Sequence, residues 1–320
     1  MRFLGNVLAT VIGIFVFMML SFFGIILIGV IFGGDSETVE VENNSVIELN
    51  LSDISDDYAG KYSDPWVTAF SERKKIGLTD VINAIEIAET DDAIKGISIL
   101  NTNSSLGMAQ SKELRDALNR FKKSGKFIYS YANNYSQKEY YLNSVATSIY
   151  INPIGELDFK GLSTEVMFFK DFQEKSGLKM EVIRHGKYKS AVEPFLENKM
   201  SDANKEQTMA LLNGIWTNIV EDISKSRNIP VEKLNTIANG LLARTPEMAK
   251  AQNLIDYIAY EDVYHNAIRK VLKVDKDEDY NTVSIADYTQ KTTTTSVNMD
   301  SNDAIAIVYA QGEIGSGEGD

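Results

Sequence analysis

GISILNTNSSLGMAQSKELRDALNRFKKSGKFIYSY, Gly96–Tyr131, is the stretch that decides the fold. An apolar run at Gly96–Leu100 reads as a buried strand, and Asn101–Leu106 is a Ser- and Asn-rich loop. Leu114, Leu118 and Phe121 then fall on one face of a helix before a second strand at Lys126–Tyr131. A strand, a helix long enough to cross back over a sheet, and another strand make a βαβ unit with parallel strands and a right-handed crossover.

The same alternation extends in both directions. Upstream, Val46–Leu51 reads as a strand, and Leu78–Ala88 carries Leu78, Val81, Ile82, Ile85 and Ala88 at helical spacing. Downstream come helix Gln137–Val145 and strand Ser148–Asn152, closed by the Asn152-Pro153 turn. The pattern then predicts strand Thr164–Phe168, a short helix, strand Lys179–Arg184 and a long helix capped by Ser201. That helix carries Met209, Leu212, Ile215, Trp216, Ile219, Val220 and Ile223 as one apolar stripe, read as core or subunit interface, and stops at Ile229-Pro230. Shorter helices run to Val274. The class expected is α/β with a mainly parallel sheet.

Residues 281–303 are polar and Thr-rich and read as a linker. A new strand is expected at Ala304–Ala310, and the sequence ends at Asp320 within a glycine-rich run (Gly312, Gly315, Gly317, Gly319). The expectation is a fragment in which a second domain, 304–320, has begun.

Residues 1–6 read as a cytoplasmic stub. No charge occurs between Leu4 and Gly34, and the apolar core Val7–Phe32 exceeds the roughly 20 residues a helix needs to cross a bilayer. It is also longer than the apolar core of a cleavable leader, about 7–15 residues, so an uncleaved anchor is expected. Arg2 precedes the span, whereas Asp35, Glu37, Glu40, Glu42 and Glu48 follow it. That asymmetry predicts a single-pass protein of the cytoplasmic membrane, amino terminus inside, with a tether at 33–45 and the soluble part in the periplasm.

At 320 residues the chain is long enough for a substantial core without staples. It has no cysteine, which removes thiol nucleophiles and cysteine-bound metals. Only His185 and His265 supply imidazole, and no His-Glu-x-x-His run occurs, so no metal and no other cofactor is expected. The terminal glycines lack the Gly-Lys-Ser/Thr ending of a phosphate loop. A net charge of −13 without a basic stripe argues against nucleic acid as a partner. Hydroxyl, carboxylate and amine chemistry remain.

Within Gly186–Phe195, Lys189 is flanked by Tyr188, Ala191, Val192, Pro194 and Phe195. An amine held against apolar groups loses hydration, which disfavours its charged form and equips it to take a proton from a serine hydroxyl. The ordinary reading of a lone lysine is a solvated surface group, and composition leaves both open.

Tyr188-Lys189-Ser190-Ala191-Val192-Glu193-Pro194-Phe195 resembles the segment that bears the general-base lysine in signal peptide peptidases of the protease IV type. Ala132–Leu142, Leu241–Lys250 and Ile305–Gly317 are similar to other parts of that family. The resemblance covers nearly everything after Gly33. It implies a Clp-protease/crotonase-like βαβ fold built twice per subunit, here with 46–280 as the first repeat. It further implies a homo-oligomer, hydrophobic peptide substrates such as cleaved signal peptides, contact with membrane lipid through the anchor, and a Ser/Lys dyad. Lys189 would be the catalytic base, and the nucleophilic serine would lie beyond residue 320. Glu193 would shape the lysine loop.

Hydroxyls within the chain fit the dyad less well. Ser136 occupies the place of the nucleophile in the other repeat, but Gln137-Lys138-Glu139 follow it where small glycines would be needed. Ser190 adjoins Lys189 and would point away from it in an extended segment. Ser71-Glu72-Arg73-Lys74 has the Ser-x-x-Lys spacing of penicillin-binding proteins without their companion motifs. His185 reads as a polar residue at a strand end or as a group orienting the loop. The competing function is a non-catalytic scaffold that binds membrane-derived peptides. An acyl-CoA enzyme would share the fold but not the compartment.

Overall fold

A computed structural model describes residues 2–32, 40–55, 57, 58, 76–100, 103–295, 307 and 308. The chain divides into two units, Met1–Glu40 and Val41–Asp320. The first contains helix α1 (Arg2–Phe32). Within it, Gly5–Leu27 has a mean hydropathy of 2.6 and no buried face, so by length and composition it is able to cross a bilayer.

The second unit is an α/β domain. In chain order its elements are β1 (Ser45–Asn50), α2 (Leu78–Thr90), β2 (Ile94–Leu100), α3 (Met108–Lys123), β3 (Phe127–Ala132), α4 (Gln137–Asn143) and β4 (Ser148–Ile151). There follow α5 (Lys170–Ser176), α6 (Glu193–Leu196), α7 (Asp202–Arg227), α8 (Val231–Asn239) and α9 (Pro246–Ala251). The domain closes with β5 (Tyr257–Ile258), α10 (Glu261–Leu272), β6 (Thr282–Ser284) and α11 (Ile285–Thr295). The sheet runs β5-β4-β3-β2-β1-β6, and every pair is parallel. The expected class is therefore the class found.

Parallel strands covered by helices bury both faces, which is why these strands read as nearly continuous apolar runs. Val46, Ile47, Leu49, Ile97, Ile99, Ile128, Ile149 and Ile151 are all fully buried. One face carries Val46, Tyr131 and Tyr150 against Tyr264, Ile268 and Leu272 of α10. The Tyr264 hydroxyl meets Ser98 Oγ at 2.7 Å, so the phenol is buried with its polar end satisfied. Helices α2 and α3 pack on each other, and Val81 and Ile85 of the first and Leu114 and Leu118 of the second are buried. Arg115, 1% exposed, joins α3 to α4 and α7. It donates to the Tyr141 carbonyl, to Ser144 Oγ at 2.8 Å, to the Asp222 carbonyl at 2.9 Å and to Ser226 Oγ at 2.5 Å.

Two expectations are corrected beyond β4. Residues 164–168 and 179–184 form no strands, because the neighbour of β4 in the sheet is β5, from much later in the chain. Apolar alternation makes a strand only where a partner accepts its backbone bonds. Here Met167 (74% exposed) and Ile183 (fully exposed) stand in solvent. Residues 281–303 are not a linker throughout. Thr282–Ser284 pair with β1, and α11 buries Ile285, Tyr288, Thr289 and Thr292, with the Tyr288 hydroxyl donating to Asp91 at 3.0 Å. The Thr-rich composition concealed a helix whose threonine hydroxyls bond back to its own carbonyls (Thr289 to Ala286, Thr292 to Thr289).

Ser201 caps α7 as expected, accepting the N–H of Asn204. The stripe along α7 is buried only from Ile219 onward, and Met209 is exposed. The strand expected at Ala304–Ala310 lies outside the described residues except Ile307 and Val308, which are exposed coil. The Ser71–Lys74 and terminal glycine segments also lie outside them.

Candidate active site

Phe159 is the last buried apolar residue before a long excursion, and the next is Ile219. The departure is held by Gln137, whose Oε1 accepts the N–H groups of Lys160 (2.9 Å) and Gly161 (2.8 Å) and whose Nε2 donates to the Gly161 carbonyl at 2.8 Å. The excursion folds back on itself through α5 and α6. Phe169 stacks on Phe195 at 5.9 Å, and the Phe169 N–H donates to the Pro194 carbonyl at 2.6 Å.

Lys189 sits on the segment between those helices. Gly186 turns the chain with φ of +104°, a left-handed value that a side chain would strain. The Lys189 N–H then lies 3.5 Å from the Gly186 carbonyl. The Lys189 carbonyl accepts from Arg184 Nη1 at 3.2 Å, and the Ser190 carbonyl accepts from the Glu193 N–H at 3.0 Å. The backbone on both sides of Lys189 is thus fixed.

Its amine is not. Lys189 is exposed, and among the described residues its Nζ makes no hydrogen bond or ion pair. The apolar flank expected to desolvate it lies open: Tyr188 and Phe195 are 46% and 37% exposed. Lys189 instead lines an open cavity of about 520 Å³ with Val182, Ile183, His185, Tyr188, Ala191 and Val192. Lys187, two residues earlier, is occupied. Its ammonium lies 3.3 Å from the Tyr188 hydroxyl, 3.5 Å from Glu206 and 4.9 Å from the Tyr188 ring centre. The Tyr188 hydroxyl and the charge of Glu206 raise its pKa, the wrong direction for a base.

Glu193 anchors the loop. Its carboxylate accepts Ser201 Oγ at 2.5 Å, Asn204 Nδ2 at 3.0 Å and the Ser201 N–H at 3.2 Å, with Arg184 Nη1 3.9 Å away. The hydrogen bond from Ser201 leads the causes that hold the carboxyl below its usual pKa, against the effect of burial. The sequence pointed to Glu193 as a shaper of the loop. It did not point to Ser201, Asn204 or Arg184 as the partners, and the only available signal was the Ser-x-x-Asn cap at 201–204.

Neither of the serines weighed as an internal nucleophile, Ser136 and Ser190, bonds the amine. Ser136 is the N-cap of α4: its Oγ accepts the Glu139 N–H at 3.3 Å, and Glu139 Oε2 accepts the Ser136 N–H at 3.0 Å. It lines a different cavity, with Asn133, Asn134, Glu139, Glu156 and Asp158, at the carboxyl ends of β3 and β4. Ser190 borders the Lys189 cavity without bonding the amine, and His185 is exposed.

Comparison with known proteins bears on the family of the domain. The profile of peptidase family S49 matches residues 120–275. The chain is 31% identical over 304 residues to Protease 4 of Haemophilus influenzae, covering 90% of this chain and 49% of that protein. It is 33% identical over 251 residues to Protease 4 of Salmonella typhi (75% and 40%) and 30% identical over 274 residues to the chloroplastic serine protease SPPA of Arabidopsis thaliana (86% and 39%). The chain thus spans half or less of the length of these curated relatives. The parallel six-stranded sheet, the Lys189 segment inside the matched range and these similarities lead to one conclusion: the chain carries a peptidase family S49 domain of Clp-protease-like fold.

Proposed function

We propose that this chain is the base-bearing part of a membrane-anchored serine peptidase. Lys189 takes the proton of a serine hydroxyl supplied from outside the residues described, and the substrates are hydrophobic peptides such as cleaved signal peptides. The observation that carries the reading is the contrast at the loop: backbone clamped on both sides of Lys189, amine free. A general base needs both properties, because it must reach the attacking oxygen at hydrogen-bond distance with little reorganisation.

Three further features support the reading. Ser136 serves as a helix cap, which points the dyad to a different hydroxyl. The open cavity and the exposed Met167, Phe172, Leu178 and Ile183 suit apolar peptides and the faces of a homo-oligomer. Helix α1 is long enough to hold the enzyme at the membrane where such peptides are left.

In the mechanism that follows, neutral Lys189 removes the proton as the serine oxygen attacks the peptide carbonyl. The ammonium then returns the proton to the leaving amine, and the acyl-enzyme is hydrolysed by water activated by the same amine. The test is turnover of an apolar peptide by the full-length protein and its Lys189→Ala variant, with a fluorophosphonate probe to locate the nucleophile. Loss of turnover with labelling outside Ser136 and Ser190 supports the proposal. Peptide binding with neither turnover nor labelling in the wild type establishes the scaffold reading instead.

A further inference from the structure

Glu193 is an oddity of the excursion it belongs to. Between Lys160 and Asn218, among the described residues, it is the one buried residue, at 3% exposure. A segment of this length ordinarily hides apolar side chains and leaves carboxylates in water, since burying a carboxylate is unfavourable unless it is paired and hydrogen-bonded. Here the apolar side chains are outside and the carboxylate is inside.

Cohesion alone does not require such an arrangement, because a well-packed apolar residue would hold the segment at least as well. A carboxylate adds direction. Its three hydrogen bonds fix it to the first turn of α7 through Ser201 and Asn204, and α7 is itself rooted in the core through Ile219, Val220 and Ile223. On its other side stands Arg184, which donates to the carbonyl of Lys189. The connection therefore runs from the domain core along α7 to Ser201, Glu193 and Arg184, and ends on the backbone of Lys189. It stops at the main chain and leaves Nζ free.

We infer that Glu193 is a positioning residue for Lys189, its buried carboxylate registering the lysine-bearing loop on α7 through Ser201 and Asn204 and on the Lys189 carbonyl through Arg184. This rests on the reading of Lys189 as the base. A base displaced by about 1 Å loses on the order of 10²-fold in rate, so registration of the loop acts on the chemical step and not on peptide binding.

The experiment measures kcat, KM and Tm for the full-length protein carrying Glu193→Gln, Arg184→Met, both together, or Lys189→Ala. Glu193→Gln should lower kcat about 10- to 100-fold with KM within about threefold of wild type. Arg184→Met removes an exposed guanidinium and should lower kcat by roughly 3- to 10-fold without a change in Tm, and the double variant should be no slower than Glu193→Gln alone, because both act through one connection. Should Glu193→Gln fail to fold, Ser201→Ala and Asn204→Ala each remove part of the clasp and are expected to show the same split of kcat from KM. If Lys189→Ala abolishes turnover while all clasp variants keep wild-type kcat, or change only Tm, the positioning role is overturned and the base survives. If Lys189→Ala retains turnover, the proposed base is wrong and the positioning role falls with it.

Discussion

Ser136 and Glu139 hold each other's backbone at the start of α4: the hydroxyl accepts the Glu139 N–H at 3.3 Å and the carboxylate accepts the Ser136 N–H at 3.0 Å. A serine engaged in this reciprocal cap is a helix-starting device. Ser136→Ala should therefore destabilise the domain by about 0.5–2 kcal/mol. It should leave kcat of the full-length protein within about twofold of wild type, and a large loss of kcat without loss of stability would return Ser136 to the chemistry.

The two lysines of the loop should part company. Lys189→Ala or Lys189→His should reduce turnover by at least about 10²–10⁴-fold, whereas Lys187→Ala should be tolerated, since Lys187 is paired with Glu206 and Tyr188. Near wild-type turnover in Lys189→Ala with loss in Lys187→Ala would reverse the assignment.

Glu193 should leave a signature in acid. Its folded-state pKa is depressed below 4.5, so its contribution to stability is fully present above that value and is lost as pH falls through the folded pKa. The Tm difference between wild type and Glu193→Gln should be constant above about pH 5.5 and should shrink in more acidic buffer. A difference that grew on acidification would contradict the hydrogen-bonded ionised carboxylate described above.

Two glycines give a paired test of packing. A Cβ at Gly155 would lie 2.0 Å from the Asn133 carbonyl oxygen and 3.1 Å from that of Asn152, both backbone atoms with no side-chain freedom. Gly155→Ala should lower stability by roughly 1–3 kcal/mol or more, as overpacking does. Gly214, within α7, has nothing within 4 Å of that position, and Gly214→Ala should raise stability by about 0.5–1 kcal/mol. Equal effects in urea titrations would refute the contrast.

Helix α1 should act as an anchor with the amino terminus inside. Protease added to spheroplasts should digest the α/β domain, while membranes stripped with carbonate retain α1. Protection of the domain, or its release as a processed soluble form, would overturn that topology.

How much of this was legible in the sequence depended on whether each element meets its partner locally. Strands β1 to β4 and helices α2 to α4 were predicted to within a few residues, because consecutive βαβ units bury their own apolar faces and the pattern records that burial. The failures lie where the partner is distant or absent. Residues 164–168 and 179–184 carry a strand pattern without a neighbouring strand, and β5 and β6 are too short to show a periodicity of their own. At the candidate site, the Lys189 motif was readable as a resemblance, and Glu193 with it. The clasp was not, since it depends on Arg184, Ser201 and Asn204 converging from separate elements.

Strand β6 bears on how the domain comes to be folded. It covers the edge of β1 through Val46, Ile47 and Glu48, while Asn281 Nδ2 donates to the Asn43 carbonyl at 3.0 Å, so the two ends of the domain are stitched side by side. During synthesis β1 is made first and waits with one backbone edge unpaired until the last tenth or so of the domain emerges from the ribosome. Completion of the sheet is thus a late, long-range event, slow by nature and vulnerable to pairing with a second nascent chain.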